Sequence, residues 1–579
     1  MNEFRIACFA GLLAAFGLAR PASAAERPSV VLVITDDQGY GDLAAHGNAM
    51  IKTPNLDKLH ERSVRLADFH VDPTCAPTRA ALLTGRYSAR VGVWHTIMGR
   101  SILRGDEVTM ADVFQRAGYR TGMFGKWHLG DNHPYRPQDR GFDEVLCHGG
   151  GGVGQAPDYW GNDYFDDTYF HNGKPEKQAG YCTDVWFNAA IEFIRSTPDR
   201  PFFCYLATNA PHAPYLVDPK YSEPYRARGV PSPMAEFYGM ISNIDENLAR
   251  LTRTLADLKR IDNTIFIFMT DNGTAAGAAG GKSPSGGWRG FNAAMRGQKG
   301  SQYDGGHRVP CFIHWPAGQL AAGRDVSQLT AHVDLLPTLI ELCGLETPAS
   351  VSFDGTSIAR PLRGEPAGWP DRTLFVAVNR LDHPEPWRRT AVLTERWRLI
   401  DGKELYDITA DPGQAADISA RQPEVVARLR SQYESHWRDI SRRFDQYVRL
   451  VLGAEEENPA TISSHDWHAE NVPWNHRQIA QMPEWNGVWQ IEAAVAGRYR
   501  FALMQRPPEA RFPLRAVSAR LKVGGFDEVQ PVAQGAVEAV FEVDLPAGPA
   551  SMQTWLVEAG GAQRGAFYVR VERLPARRK

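Results

Sequence analysis

Two stretches of this sequence run through buried-type residues and end in oxygen ligands. Ser29-Val30-Val31-Leu32-Val33-Ile34-Thr35 leads into Asp36-Asp37, and Thr264-Ile265-Phe266-Ile267-Phe268-Met269-Thr270 leads into Asp271-Asn272. Each run has the length and continuous apolar character of a central parallel strand. Adjacent carboxylates leaving a buried strand repel each other unless something positive holds them. Open α/β sheets gather their functional groups outside the carboxyl ends of the strands, which is where both acidic endings fall. Three carboxylates and one amide at a sheet edge form an all-oxygen set. That set suits a hard cation, Ca²⁺ or Mg²⁺, and does not suit zinc or copper.

A third stretch, Cys75-Ala76-Pro77-Thr78-Arg79-Ala80-Ala81-Leu82-Leu83-Thr84-Gly85-Arg86, brings a nucleophile type. Thr74 and Thr78 are residues of helix starts, Pro77 suits a first helical position, Ala80 to Leu83 propagate the helix, and Gly85 stops it. Cys75 then lies at a positive helix end, which lowers a thiol's pKa and favours an anion. Arg79, one turn further on, adds a fixed positive charge. Lys126-Trp127-His128, read as an extended segment, points a cation and a titratable base to the same side. Pro211-His212-Ala213-Pro214 follows the strand-type run Pro201 to Ala207, and its prolines hold His212 in rigid, extended backbone.

A lone cysteine at a helix start is more often a core residue, so the surrounding pattern decides. Cys-x-Pro-x-Arg followed by x-x-Leu-Leu-Thr-Gly resembles the signature of the type I sulfatases, and every defining position is met. Gly118 to His128 is similar to the family's second signature, with Phe124 bulkier than the residue usual there. Gln38-Gly39-Tyr40-Gly41-Asp42, directly after the acidic pair, resembles the family's metal-binding opening, and Pro-His-x-Pro is a further hallmark. Arg296 to Gly300 and Asp304 to Pro310 resemble its Lys-Gly and Gly-Gly-x-Arg-x-Pro run, with Asp304 where glutamate is common. Glu404 to Ile408 with Asp411-Pro412 resembles its C-terminal subdomain, so the resemblance covers roughly residues 28 to 445.

The resemblance implies an α/β fold of the alkaline-phosphatase and sulfatase kind: a large mixed sheet sandwiched by helices, with a small antiparallel C-terminal subdomain carrying a helix. It implies hydrolysis of sulfate monoesters through formylglycine, an aldehyde made from Cys75 by a separate formylglycine-generating enzyme and used as its hydrate. Asp36, Asp37, Asp271 and Asn272 would hold Ca²⁺ beside residue 75, which completes the metal set. Lys126 and Lys299 would clamp the sulfate, and His212 and His307 would add substrate contacts. Arg79 would steady the hydrate, His128 would take the proton whose loss expels sulfate, and His212 or Lys299 would assist the leaving alcohol. A phosphonate monoester or phosphodiester hydrolase on the same scaffold is the nearest rival. A sugar-binding protein with an inactive catalytic domain is a rival of another class, and a plain metal-dependent phosphatase using an ordinary Cys75 thiol is opposed by Pro77 and Arg79.

At 579 residues the chain calls for a large domain and smaller additions. Residues 1–24 read as a secretory signal peptide, with Arg5, an apolar run from Ile6 to Leu18, and Ala22-Ser23-Ala24 at the cleavage site. The expected product is exported, periplasmic or extracellular, with no membrane span. Residues 25–365 form the catalytic domain and 366–445 its C-terminal subdomain. Residues 446–579 read as an accessory β-sandwich of the lectin or carbohydrate-binding sort, from clustered tryptophans (Trp467, Trp474, Trp485, Trp489) and short alternating segments. That addition favours a sulfated carbohydrate over a small aryl sulfate.

A net charge of −3 argues against a nucleic-acid partner, so an anionic substrate must be met by a local cluster of cations. Of the seven cysteines, Cys8 falls in the signal segment and Cys75 in the site. Cys147, Cys182, Cys204, Cys311 and Cys343 show no Cys-x-x-Cys spacing, and only Cys147 and Cys182 suggest a bridge. Residues 148–180, opening with His148 and four glycines, carry turn formers without periodicity and read as one long substrate-facing loop.

Overall fold

A computed structural model describes residues 27–276, 290–321, 323–365 and 368–575. The signal-type segment, with Cys8, lies outside them.

Both acidic runs are strands of one ten-stranded sheet. Its members are β1 (Ser29–Thr35), β2 (Val64–His70), β3 (Arg120–Lys126), β4 (Glu144–His148), β5 (Thr168–His171), β6 (Lys174–Lys177), β7 (Phe202–Ala207), β8 (Thr264–Thr270), β9 (Cys311–His314) and β10 (Arg324–Ala331). They lie in the order β10-β2-β9-β8-β1-β7-β3-β4-β5-β6. The central five, β8-β1-β7-β3-β4, are parallel, and the outer pairings are mostly antiparallel.

Alternation along the strands serves two cores. Val30, Leu32 and Ile34 join Phe203, Tyr205 and Ala207 beneath Ala76, Ala80 and Leu83 of the helix Cys75–Thr84. Val31 and Val33 join Cys204, Leu206, Phe266 and Phe268 beneath Ile244, Leu248 and Leu251 of the helix Met234–Asp257. Burial on both faces is why these strands read as unbroken apolar runs.

Residues 148–180 differ from the expected single loop. Thr168–His171 and Lys174–Lys177 form a hairpin that extends the sheet edge. Its turn is Asn172-Gly173, both at positive φ (48° and 81°), a pair suited to a tight two-residue hairpin turn.

The smaller C-terminal unit is a four-stranded antiparallel sheet, Leu374–Ala377, Thr390–Leu393, Trp397–Ile400 and Glu404–Asp407, carrying the helix Pro423–Ile440. Leu429 and Tyr433 of that helix pack on Val392, Leu399 and Leu405. Beyond it, two further sheets form a sandwich. Trp467 and Trp489 are fully buried in its core, rings 5.4 Å apart, so these two are packing residues and not a sugar platform. The same core takes in Ile97, Ile102, Tyr135 and Ala156 of the large domain. Tyr568 donates to the Ala156 carbonyl at 2.8 Å, and the Met98 amide to the His465 carbonyl at 2.8 Å. The sandwich is therefore fused to the large domain by shared apolar contact.

The six cysteines among the described residues are all buried and unpaired, so the suggested Cys147–Cys182 bridge is not formed. Cys147 lies in β4, while Cys182 opens the helix Cys182–Arg195 and accepts from Asn209 Nδ2 at 3.5 Å. No helix of the described residues is long and apolar enough to cross a membrane.

Candidate active site

Parallel neighbours deliver their carboxyl ends side by side, and here four adjacent strands do so. Strand β8 leads directly into Asp271-Asn272, β1 into Asp36-Asp37, β7 leads to His212, and β3 ends in Lys126. The β1/β8 register sets Thr35 against Thr270, so the two acidic endings meet one step later. Asp37, with φ 68°, turns its amide onto Asp271 Oδ1 at 3.0 Å. Asn272 donates its side-chain amide to Asp37 Oδ1 at 2.9 Å.

Three cations neutralise the carboxylates. Lys126 Nζ lies 2.6 Å from Asp36 Oδ2, Lys299 Nζ 2.5 Å from Asp37 Oδ1, and Arg79 Nη2 2.8 Å from Asp271 Oδ2. Arg79 also donates Nε to the same oxygen at 3.2 Å and Nη1 to the Lys126 carbonyl at 3.0 Å. Burial pushes Asp37 and Asp271 upward. Lys299, followed by His212 and Lys126, outweighs it at Asp37, and Arg79, followed by Lys126, outweighs it at Asp271, so both carboxyls are held below the usual range. Asp36 is different: burial dominates, Lys126 only partly offsets it, and its carboxyl is pushed well up.

Asp36 Oδ1 and Asn272 Oδ1 are buried with no hydrogen-bond partner among the described residues. Ligand atoms of Asp36, Cys75 and Asp271 all lie within 4.8 Å of one another, as do those of Asp36, Asp37 and His212. Unsatisfied hard oxygens next to an anion that burial disfavours are what a divalent cation would complete. The residues present fit such an ion.

Cys75 begins its helix and is 3% exposed. Pro77 stands third in the helix instead of first, with Thr74 as N-cap. First-turn N–H groups have no intrahelical partner, so a proline anywhere in that turn is tolerated. Burial pushes the thiol upward, but Lys126 and Lys299 more than offset it and lower its pKa.

The expected strand alternation does not place His128. Strand β3 ends at Lys126, and His128 sits at φ 64°, so a left-handed turn brings its ring to the cluster. Its Nε2 faces the Thr96 carbonyl at 2.9 Å, which puts the proton on Nε2 and leaves Nδ1, without a protein partner, as the basic atom. Burial, then Lys126, keeps the ring neutral, well below its ordinary pKa. Burial likewise holds His212 down to about 4, although Asp37 pulls the other way; its Nε2 is 3.7 Å from Asp37 Oδ2.

Sequence reasoning missed the residues that fix His128. A Cβ on Gly151 would lie 2.3 Å from His128 Cε1 and 2.4 Å from Nε2, so the glycine run packs flat on the imidazole. Gly151→Ala is expected to displace the ring and lower kcat/KM by ~10²-fold; steady-state kinetics beside an unchanged melting curve would check it. His148 was missed as well. It pairs with Lys126 across β3 and β4, and its Nε2 is buried without a partner.

His307 is a correction. The short helix Asp304–His307 turns its ring under β2, where Nδ1 meets His70 Nδ1 at 2.9 Å and Nε2 meets the Gln302 carbonyl at 3.2 Å. The glycines before it allow this packing, since a Cβ at Gly305 or Gly306 would lie 2.4 Å or less from a backbone carbonyl. His307 therefore belongs to a buried network and not to the sulfate contacts. Arg398 is its hub, 3.1 Å from Asp68 and 3.2 Å from Asp304. Arg398→Ala strands those carboxylates and is expected to cost about 3–5 kcal/mol in denaturant unfolding.

Buried carboxylates with free oxygens, three paired cations and a thiol of lowered pKa at a helix start make a site able to hold a hard cation and to meet an anionic ester. Comparison with known proteins narrows the class. A family model described as Sulfatase matches residues 28–345, and one described as N-sulphoglucosamine sulphohydrolase, C-terminal, matches residues 298–439. Arylsulfatase A of Homo sapiens is 31% identical over 456 residues, covering 72% of this chain and 83% of that protein. Arylsulfatase G of Rattus norvegicus is 32% identical over 377 residues, covering 59% and 70%. The crystal structure of Ps i-CgsB in complex with k-i-k-neocarrahexaose matches with a TM-score of 0.65 and 26% identity, covering 73% of this chain and 95% of that one. The chain belongs to the sulfatase family and is a sulfuric ester hydrolase.

Proposed function

We propose that this enzyme removes sulfate from a sulfated carbohydrate, with formylglycine made from Cys75 as nucleophile and Ca²⁺ held by Asp36, Asp37, Asp271, Asn272 and residue 75. The observation that carries the reading is the position of Cys75, its sulfur within 4.8 Å of ligand oxygens of Asp36 and Asp271. A cation at those oxygens supplies charge that orients the ester and offsets the negative charge developing on it.

The chain's own groups do the rest. Lys126 and Lys299 bind the sulfate oxygens, and Arg79, one turn along the same helix, steadies residue 75. An arriving anion raises the proton affinity of His212. Its Nε2, with charged Lys299 beside it, then serves the leaving alcohol oxygen as acid. His128 accepts a proton on Nδ1 from the hydroxyl of residue 75 as sulfate is expelled.

Two similarities support a carbohydrate substrate: the k-i-k-neocarrahexaose complex named above, and N-acetylgalactosamine-6-sulfatase of Homo sapiens, 32% identical over 58% of this chain. Arg5, the apolar run and Ala22-Ser23-Ala24 support export.

The test is peptide mass spectrometry across residue 75 in protein produced with a formylglycine-generating enzyme, alongside activity after chelation. The expected peptide carries an aldehyde in place of the thiol, and Ca²⁺ restores chelated enzyme. An intact thiol in fully active protein would end the proposal.

A further inference from the structure

We propose that Arg380, Trp474 and His95, backed by His465, form a subsite for a second sulfated sugar unit next to the sulfate pocket. The proposal rests on the carbohydrate reading above and adds what the substrate must carry.

The members come from three parts of the fold. His95 belongs to the large domain, Arg380 to the connection following strand Leu374–Ala377 of the small sheet, and Trp474 and His465 to the sandwich region. The Arg380 guanidinium carbon stands 5.8 Å from the Trp474 ring centroid, and the His95 ring 6.1 Å from the same ring. Trp474 is only partly buried, unlike the core residues Trp467 and Trp489.

Several of these groups lack partners. Arg380 has no ion pair or hydrogen bond to any described residue, and its Nε is buried. The carboxylate nearest in role, Asp382, is committed to Arg100 at 2.9 Å and His468 at 2.7 Å. His465 is 2% exposed, and neither ring nitrogen has a hydrogen-bond partner; Asp466 Oδ1 is 3.5 Å from Nδ1. The buried Thr96 hydroxyl is also unpartnered. His95 Nδ1 accepts from the Thr96 and Ile97 amides at 2.7 and 3.2 Å, which leaves Nε2–H as a donor. Buried polar groups left unsatisfied cost free energy that a ligand can recover.

The cluster adjoins the chemistry. Thr96, next to His95, is the residue whose carbonyl holds His128, and the His465 and His128 ring centroids are 6.4 Å apart. A partly exposed indole suits the apolar face of a sugar ring, while an unpaired guanidinium and imidazole donors suit sulfate and hydroxyl oxygens. A small aryl sulfate has nothing to place there.

The experiment compares kcat/KM for a disulfated disaccharide series with kcat/KM for 4-nitrocatechol sulfate, in the wild type, Arg380→Ala and Trp474→Ala. The series covers galactose-based and galactosamine-based disaccharides, each also used as an inhibitor of aryl sulfate hydrolysis. The ratio is expected to fall ~10-fold in either variant, with Arg380→Lys recovering part of it. Should Trp474→Ala fail to fold, Trp474→Phe and Arg380→Gln carry the test. Ratios within about twofold of wild type in the folded variants overturn the subsite and leave the sulfatase reading standing. A wild type that hydrolyses the aryl ester but neither cleaves nor is inhibited by any sulfated disaccharide overturns the carbohydrate reading, and the subsite with it.

Discussion

Cys75→Ala is expected to lower turnover by ~10⁴-fold or more, because no other side chain at the site can supply the attacking atom. The loss should fall on kcat. Lys126, Lys299 and His212 keep their places, so the variant is expected still to bind a sulfate ester, which calorimetry with unhydrolysed substrate would show. Alanine is a good residue for the first turn of a helix, and the position is only 3% exposed, so the change removes only the reactive group beyond Cβ without breaking the Cys75–Thr84 helix. A melting curve close to that of the wild type would separate lost chemistry from lost fold. Activity within an order of magnitude of wild type would mean that residue 75 is a bystander.

Asp271→Asn tests the other half of the site, and it should damage stability and catalysis together. Asp271 Oδ2 accepts both Nε and Nη2 of Arg79, while Oδ1 accepts the Asp37 amide. An asparagine can satisfy one of these sides but must turn N–H donors toward the other. Arg79 is fully buried and cannot shed its charge, so the folded state loses about 3–5 kcal/mol when its partner is neutralised. The proposed cation loses a charged ligand at the same time, and turnover is expected to fall roughly 10³-fold. Added Ca²⁺ should raise the melting temperature of the wild type by mass action and leave that of Asp271→Asn nearly unmoved. Equal calcium responses in the two proteins would exclude Asp271 as a ligand.

Much of this site was legible because its signals are local. The runs ending at Asp36-Asp37 and Asp271-Asn272 are buried along their whole length, and two-sided burial writes itself as unbroken apolar sequence. The helix from Cys75 to Gly85 was readable for a related reason, since its N-cap threonine, first-turn proline and C-terminal glycine at φ 66° act within a few residues of one another. The hairpin at Asn172-Gly173 carried an equally local signal, which was hidden by reading residues 148–180 as one loop.

The sequence by itself determined that the runs ending at Thr35 and Thr270 are strands, which residue types follow their carboxyl ends, and that those types suit a hard cation and an anionic ester. Only the tertiary structure decided that β8, β1, β7 and β3 are neighbours, because a crossover connection can set a parallel strand at many positions in a sheet. It alone turned His307 away to His70 and brought His128 in through a left-handed turn. It also placed Arg380, Trp474 and His465 beside His95. Each of these depends on packing between residues far apart in the chain, where local propensity has no influence.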